Sequence, residues 1–136
     1  MKKKIIEGGE IRVISDQVGS PTSTRGLAFL IWQIIIKNKN NHSLPDILHW
    51  SDLGQISWCE FAITIGQLAT EIGLISNSAK VIPMKSSEYL SNCIRPKYSV
   101  LDCRETELTL AIKQRDWKIN LNEVLSQLKE GSKMSF

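Results

Sequence analysis

Two short stretches of this 136-residue chain carry side chains able to do chemistry: DQVGSPTSTR (16–25) and RPKYSVLD (95–102). Arg95 precedes a proline, which biases its backbone toward an extended shape. An extended loop arginine can fork onto a diphosphate. It can equally stand on the surface without a partner, since exposed ion pairs contribute little. Gln17 can hydrogen-bond a base or a sugar, or simply close its own turn.

Other chemistries lack their residues. The eight glycines match neither GxGxxG nor a Walker loop, the patterns that bring backbone amides onto a pyrophosphate. Neither Tyr89 nor Tyr98 has a lysine four residues on, so no phenol is set to act as an acid near neutral pH. GxSxG and HExxH are also absent. On this reading the chain holds no catalytic residue and binds no cofactor alone. Cys59, Cys93 and Cys103 show no CxxC spacing and lie far from His42 and His49 in sequence. A structural zinc site needs four ligands, commonly in close pairs, so no metal site is expected. Free thiols suit a reducing cytoplasm, and these read as small core or loop residues.

The elements must position these candidates. Apolar residues make up 42% and charged residues 23%, the balance of a folded globular chain. The charge of +3 sits partly on Lys2, Lys3 and Lys4, with no basic stripe interleaved with aromatics, so nucleic acid is not an expected partner. MKKK leads into only two isoleucines, not a signal-peptide apolar region. The apolar run 28–36, interrupted by Gln33, is far short of the ~20 residues that span a membrane. It reads as a deeply buried helix in a cytoplasmic protein.

Residues 2–7 read as the end of a helix stopped by Gly8-Gly9, and 11–14 as a short strand. Thr22 is an N-cap candidate for a helix running to about Lys37. Residues 47–50 read as a second short strand. Ser57 and Glu60 form a capping box for a helix with an apolar stripe from Trp58 to Ile72, stopped by Gly73. Residues 81–83 are extended, 102–105 offer another box-like start for a helix ending near Ile112, and Asp116 can cap a last helix. The tail 131–136 reads as frayed. The fold class is therefore α/β, one partial domain over 1–136 with few short strands and four to five helices. The strands are too few for a self-sufficient parallel sheet.

Four segments, IRVISDQVGSPTSTRGLA, ILHWSDLGQISWCEFA, IRPKYSVLD and DWKINLNEVLSQL, occur in this order across most of 10–128. Together they resemble the C-terminal part of dTDP-4-dehydrorhamnose reductases, whose pattern runs DQxGxPT, SWxxFA, RPxxSxLD, DWxxxLxxxL. The resemblance implies the substrate-binding half of an extended short-chain dehydrogenase/reductase, a Rossmann-like fold. Such enzymes reduce the 4-keto group of a dTDP-6-deoxyhexose with NADPH or NADH. Their glycine-rich loop and Tyr-Lys pair precede the region seen here, so the chain is expected to be a split or truncated portion, inactive alone.

By this resemblance Arg95 matches an arginine that approaches the substrate diphosphate, and the loop holding Gln17 helps form the nucleotide-sugar cleft. Tyr98 and Asp102 are expected to shape the segment rather than touch ligand. Arg25 and Gln127 stand where some relatives carry carboxylates for metal-assisted dimer contacts, and neither is a good hard-metal ligand. YLSNCIRP lacks the prolines usual before the arginine, which implies a looser loop. The expected partners are a dTDP-sugar and either the missing Rossmann half or a second copy, held through an exposed apolar face. The alternatives are a non-catalytic nucleotide-sugar- or partner-binding regulatory protein, as with the similar β subunit of methionine adenosyltransferase, or a gene remnant.

Overall fold

The computed structural model describes residues 9–40, 43–90 and 93–133. Strand β1 (Glu10–Ile14) leads through β2 (Val18–Gly19) to helix α1 (Thr24–Lys39). Then come β3 (Ile56–Ser57), helix α2 (Trp58–Glu71), β4 (Lys80–Met84), a single 3-10 turn (Ser86–Glu88), and helices α3 (Arg104–Leu110) and α4 (Trp117–Lys133). Among the described residues this is an α/β arrangement of four helices and few short strands, in line with the four to five helices and few short strands that the sequence predicts. No helix among the described residues is long and apolar enough to cross a membrane.

β1 and β4 pair in parallel, Glu10 opposite Lys80 through Ile14 opposite Met84, and β2 pairs antiparallel with β3. A third segment joins β2: Val18 N–H donates to the Lys97 carbonyl (2.8 Å), and Ser99 N–H donates to that of Val18 (3.0 Å). A parallel pair needs a long crossover; α1, β3 and α2 supply it.

α2 begins where the capping box predicts. Ser57 Oγ accepts from Glu60 N–H (3.2 Å), and Glu60 Oε2 accepts from Ser57 N–H (3.2 Å). The helix packs on β1, β4 and α4, its Phe61 ring meeting Trp117 edge-on at 5.6 Å between centroids. Cys59, Ala69, Met84, Trp117 and Leu125 are buried. Gly73 takes φ +68° after the last turn, a backbone that favours glycine, and Leu74 N–H returns to the Ala69 carbonyl as in helix-stopping motifs. Gly54, at φ +104°, packs so that an added Cβ would lie 2.8 Å from Trp117 Cδ1.

Several local expectations change. Residues 47–50 form no strand; there the His49 carbonyl accepts from Thr106 Oγ1 (2.6 Å), a side chain of α3 instead of a ladder partner. Ser23, not Thr22, caps α1: its Oγ accepts from Gly26 N–H (3.0 Å), while Asp52 accepts from Ser23 N–H (3.0 Å). Asp102 binds Arg104 N–H and its guanidinium rather than completing a box. Asp116 caps α4 by accepting from Lys118 N–H (2.8 Å). α4 continues to Lys133, past Gly131, while 134–136 and the predicted helix at 2–7 lie outside the described residues. α1 is not deeply buried within this chain. Only Leu30 is buried, while Phe29 (53%), Ile31 and Trp32 (60%) face outward.

Candidate functional site

The chain leaves β1 through Asp16 and Gln17. The Asp16 carboxylate accepts from Ser86 N–H and Ser86 Oγ, both at 2.8 Å, tying the exit of β1 to the turn after β4. The Ser86 hydroxyl, then its N–H, hold the Asp16 carboxyl below its ordinary value, with Lys97 adding a smaller electrostatic contribution. Hydrogen bonding to the charged form is the usual cause of such a shift.

Beside this tie opens a cleft of about 430 Å³, lined by Asp16, Gln17, Lys85, Ser86, Arg95 and Lys97 among others. Gln17 and Arg95, the two candidates from the sequence, thus share one cleft although 78 positions separate them. The cause is local. Gln17 directly precedes Val18, Arg95 lies two residues before Lys97, and the Val18–Lys97 backbone bond brings the two stretches side by side. Gln17 is 6% exposed, and its carboxamide has no hydrogen-bond partner among the described residues; its carbonyl accepts from Trp58 N–H. Arg95 is exposed and forms no ion pair among the described residues.

Tyr98 and Asp102 are held elsewhere. Tyr98 Oη donates to Gln55 Oε1 (2.7 Å), and the Arg104 side chain depresses the Asp102 carboxyl to about 2. Residues 91–92 of YLSNCIRP lie outside the described residues. Sequence reasoning missed Lys85, Ser86 and Lys97. Their only signal was position: the first two follow β4, and the third sits inside RPKYSVLD.

A second concavity of about 320 Å³ lies between α1 and α4, lined by Arg25, Asp52, Arg115, Asn120 and Glu123 among others. Arg115 forks onto Glu123 and Asp52 accepts from Ser23 N–H, so its charges are largely matched internally. Among the described residues no group of three or more His, Cys, Asp or Glu could hold a metal ion.

The turn after β1 does not fit the pyrophosphate of a dinucleotide. In the turn after β1, Asp16 puts a carboxylate where phosphate-binding loops present amides. Gly19 serves packing instead, since an added Cβ would lie 3.1 Å from Ser99 Oγ.

The sequence pattern described as RmlD substrate binding domain matches residues 1–130. The chain is 37% identical to the spore coat polysaccharide biosynthesis protein SpsK of Bacillus subtilis, covering 87% of this chain and 37% of that protein. It is 31% identical to a dTDP-4-dehydrorhamnose reductase of Sinorhizobium fredii, covering 80% of this chain and 37% of that enzyme. The crystal structure of a dTDP-4-dehydrorhamnose reductase from Clostridium acetobutylicum superposes with a TM-score of 0.73 at 35% identity, over 88% of this chain and 39% of the other. That of the Bacillus anthracis enzyme in complex with NADP gives 0.67 at 30% identity, over 89% and 38%. The chain therefore spans well under half the length of the relatives it matches.

Proposed function

The chain belongs to the RmlD substrate binding domain family, and from that premise we propose that it forms the substrate side of a dTDP-4-dehydrorhamnose reductase. In this reading Arg95 grips the diphosphate of a dTDP-sugar and Gln17 hydrogen-bonds its nucleoside or sugar. A Rossmann half, on the same or another polypeptide, carries the catalytic pair and NADPH or NADH. The nicotinamide would supply the hydride for the 4-keto carbon. This chain's own work is to bind and orient the sugar. The observation that carries the reading is the meeting of Gln17 and Arg95 in one cation-lined cleft.

Sheet chemistry favours a partner half. Parallel sheets are covered on both faces and rarely stand as two strands. Lys80 N–H donates to the Gly9 carbonyl and Ser15 N–H to that of Met84, so by alternation the Pro83 nitrogen faces away from β1. With no N–H there, Pro83 makes the outer side of β4 a poor ladder partner. β1 is the edge on which a further parallel strand would add.

The test is thermal unfolding with ligands. dTDP raises the melting temperature of the chain while NADPH alone does not, saturation at 100 times Kd adding about 2.7 kcal/mol. Arg95→Ala weakens dTDP binding about ten- to hundredfold, the worth of a hydrogen bond to a charged group. An unchanged melting temperature in dTDP refutes the substrate role. A non-catalytic binding protein is the second reading. It gains if the chain binds dTDP and adding a relative's Rossmann half restores no NADPH oxidation.

A further inference from the structure

Resting on the substrate reading of this cleft, we propose that Lys85 and Lys97 act with Arg95 as a self-contained cradle that selects a diphosphate over a single phosphate. The cleft is lined by these three cations and by one carboxylate, Asp16. Ser86 engages both Asp16 oxygens and keeps the carboxylate ionised, so a single negative charge faces three positive ones. None of the three cations forms an ion pair among the described residues, whereas Arg12, Lys80, Arg104, Lys113 and Arg115 each have a carboxylate within 4.0 Å.

Placement explains why the three converge. Arg95 and Lys97 are two apart in a stretch that Pro96 biases toward extension, and alternate residues of an extended chain share a face. The Lys97 carbonyl is fixed on Val18 N–H. Lys85 directly follows β4 and precedes Ser86, the residue that pins Asp16. Gln17, 6% exposed as a residue, brings a neutral carboxamide to the lining of the same cleft. One phosphate can be satisfied by Arg95 alone; a diphosphate spreads its charge over more oxygens and uses the flanking ammonium groups as well.

Calorimetric titration of the 136-residue chain with inorganic pyrophosphate, inorganic phosphate and dTDP tests this, repeated on Lys85→Gln, Lys97→Gln and the corresponding Lys→Arg variants. Pyrophosphate should bind about tenfold or more tightly than phosphate. Each Lys→Gln change should cost about tenfold in pyrophosphate affinity and less for phosphate, with Lys→Arg restoring most of it. Both lysines are exposed, so circular dichroism and the melting temperature should not move. Equal binding of the two anions by the wild type, or pyrophosphate binding indifferent to both Lys→Gln changes, overturns the cradle. If dTDP binding responds to Arg95→Ala but not to the lysine variants, the cradle falls and the substrate reading stands. If pyrophosphate binds as proposed and dTDP does not, the substrate reading falls and the cradle stands. Binding of neither overturns both.

Discussion

At the residue scale, five carboxylates of this chain are held mainly by hydrogen bonds. Ser86 holds Asp16, Ser57 holds Glu60, the Arg104 side chain holds Asp102, the Gln114 N–H holds Glu107 and the Arg115 side chain holds Glu123, each carboxyl lying below its ordinary value. A group whose pKa is depressed on folding stabilises the fold above its unfolded value and loses that contribution as pH falls through the folded one. The unfolded values here are 3.8 and 4.5, and Asp102 reaches about 2 in the fold. The urea midpoint should therefore hold level down to about pH 5 and then fall steadily toward pH 2. A midpoint that rises on acidification would show that these contacts do not form in solution. The decline should be shallow, because Glu60 and Asp102 are exposed and the other three are only part-buried, so solvent screens their interactions.

At the element scale, α2 shows how much a short sequence pattern can settle. The S-x-x-E box, the apolar stripe and Gly73 all act locally, so the helix and both of its ends are legible in the sequence. Ser57→Ala removes the acceptor of Glu60 N–H and should cost about 1–2 kcal/mol. It would appear in urea denaturation as a lower midpoint with unchanged slope; an unaltered midpoint would mean the cap contributes nothing. The start of α1 was less legible for a physical reason. PTST offers adjacent hydroxyls, and Asp52, nearly thirty residues on, selects Ser23 by accepting its N–H. In the same way, 47–50 reads as a short strand, but its His49 carbonyl is taken by Thr106.

At the scale of the whole molecule, α1 governs behaviour in solution. Phe29, Ile31, Trp32 and Ile36 are each more than 40% exposed on one helix, and contiguous apolar patches of that kind mark interaction surfaces. The chain should self-associate at micromolar concentration unless a partner half covers this face. In sedimentation velocity, Trp32→Glu should shift the population toward monomer. A wild-type chain that stays monomeric and unfolds cooperatively would count against a covered face. The same measurement with a relative's Rossmann half added distinguishes a second copy from the cofactor side as the natural cover.

What the sequence determined by itself was whatever depends on neighbours along the chain: the capped α2, the cap of α4 at Asp116, the lack of a phosphate-binding glycine loop, and the family pattern carried by four ordered segments. Arg95 and Gln17 stood out by type and by context. Only the tertiary structure decided that they meet, because the backbone bonds of Val18 with Lys97 and Ser99 close a loop of nearly eighty residues. It also decided that Lys85 and Lys97 join them and that Ser86 occupies Asp16. Those are pairings between distant residues, and neither periodicity nor propensity carries information about them.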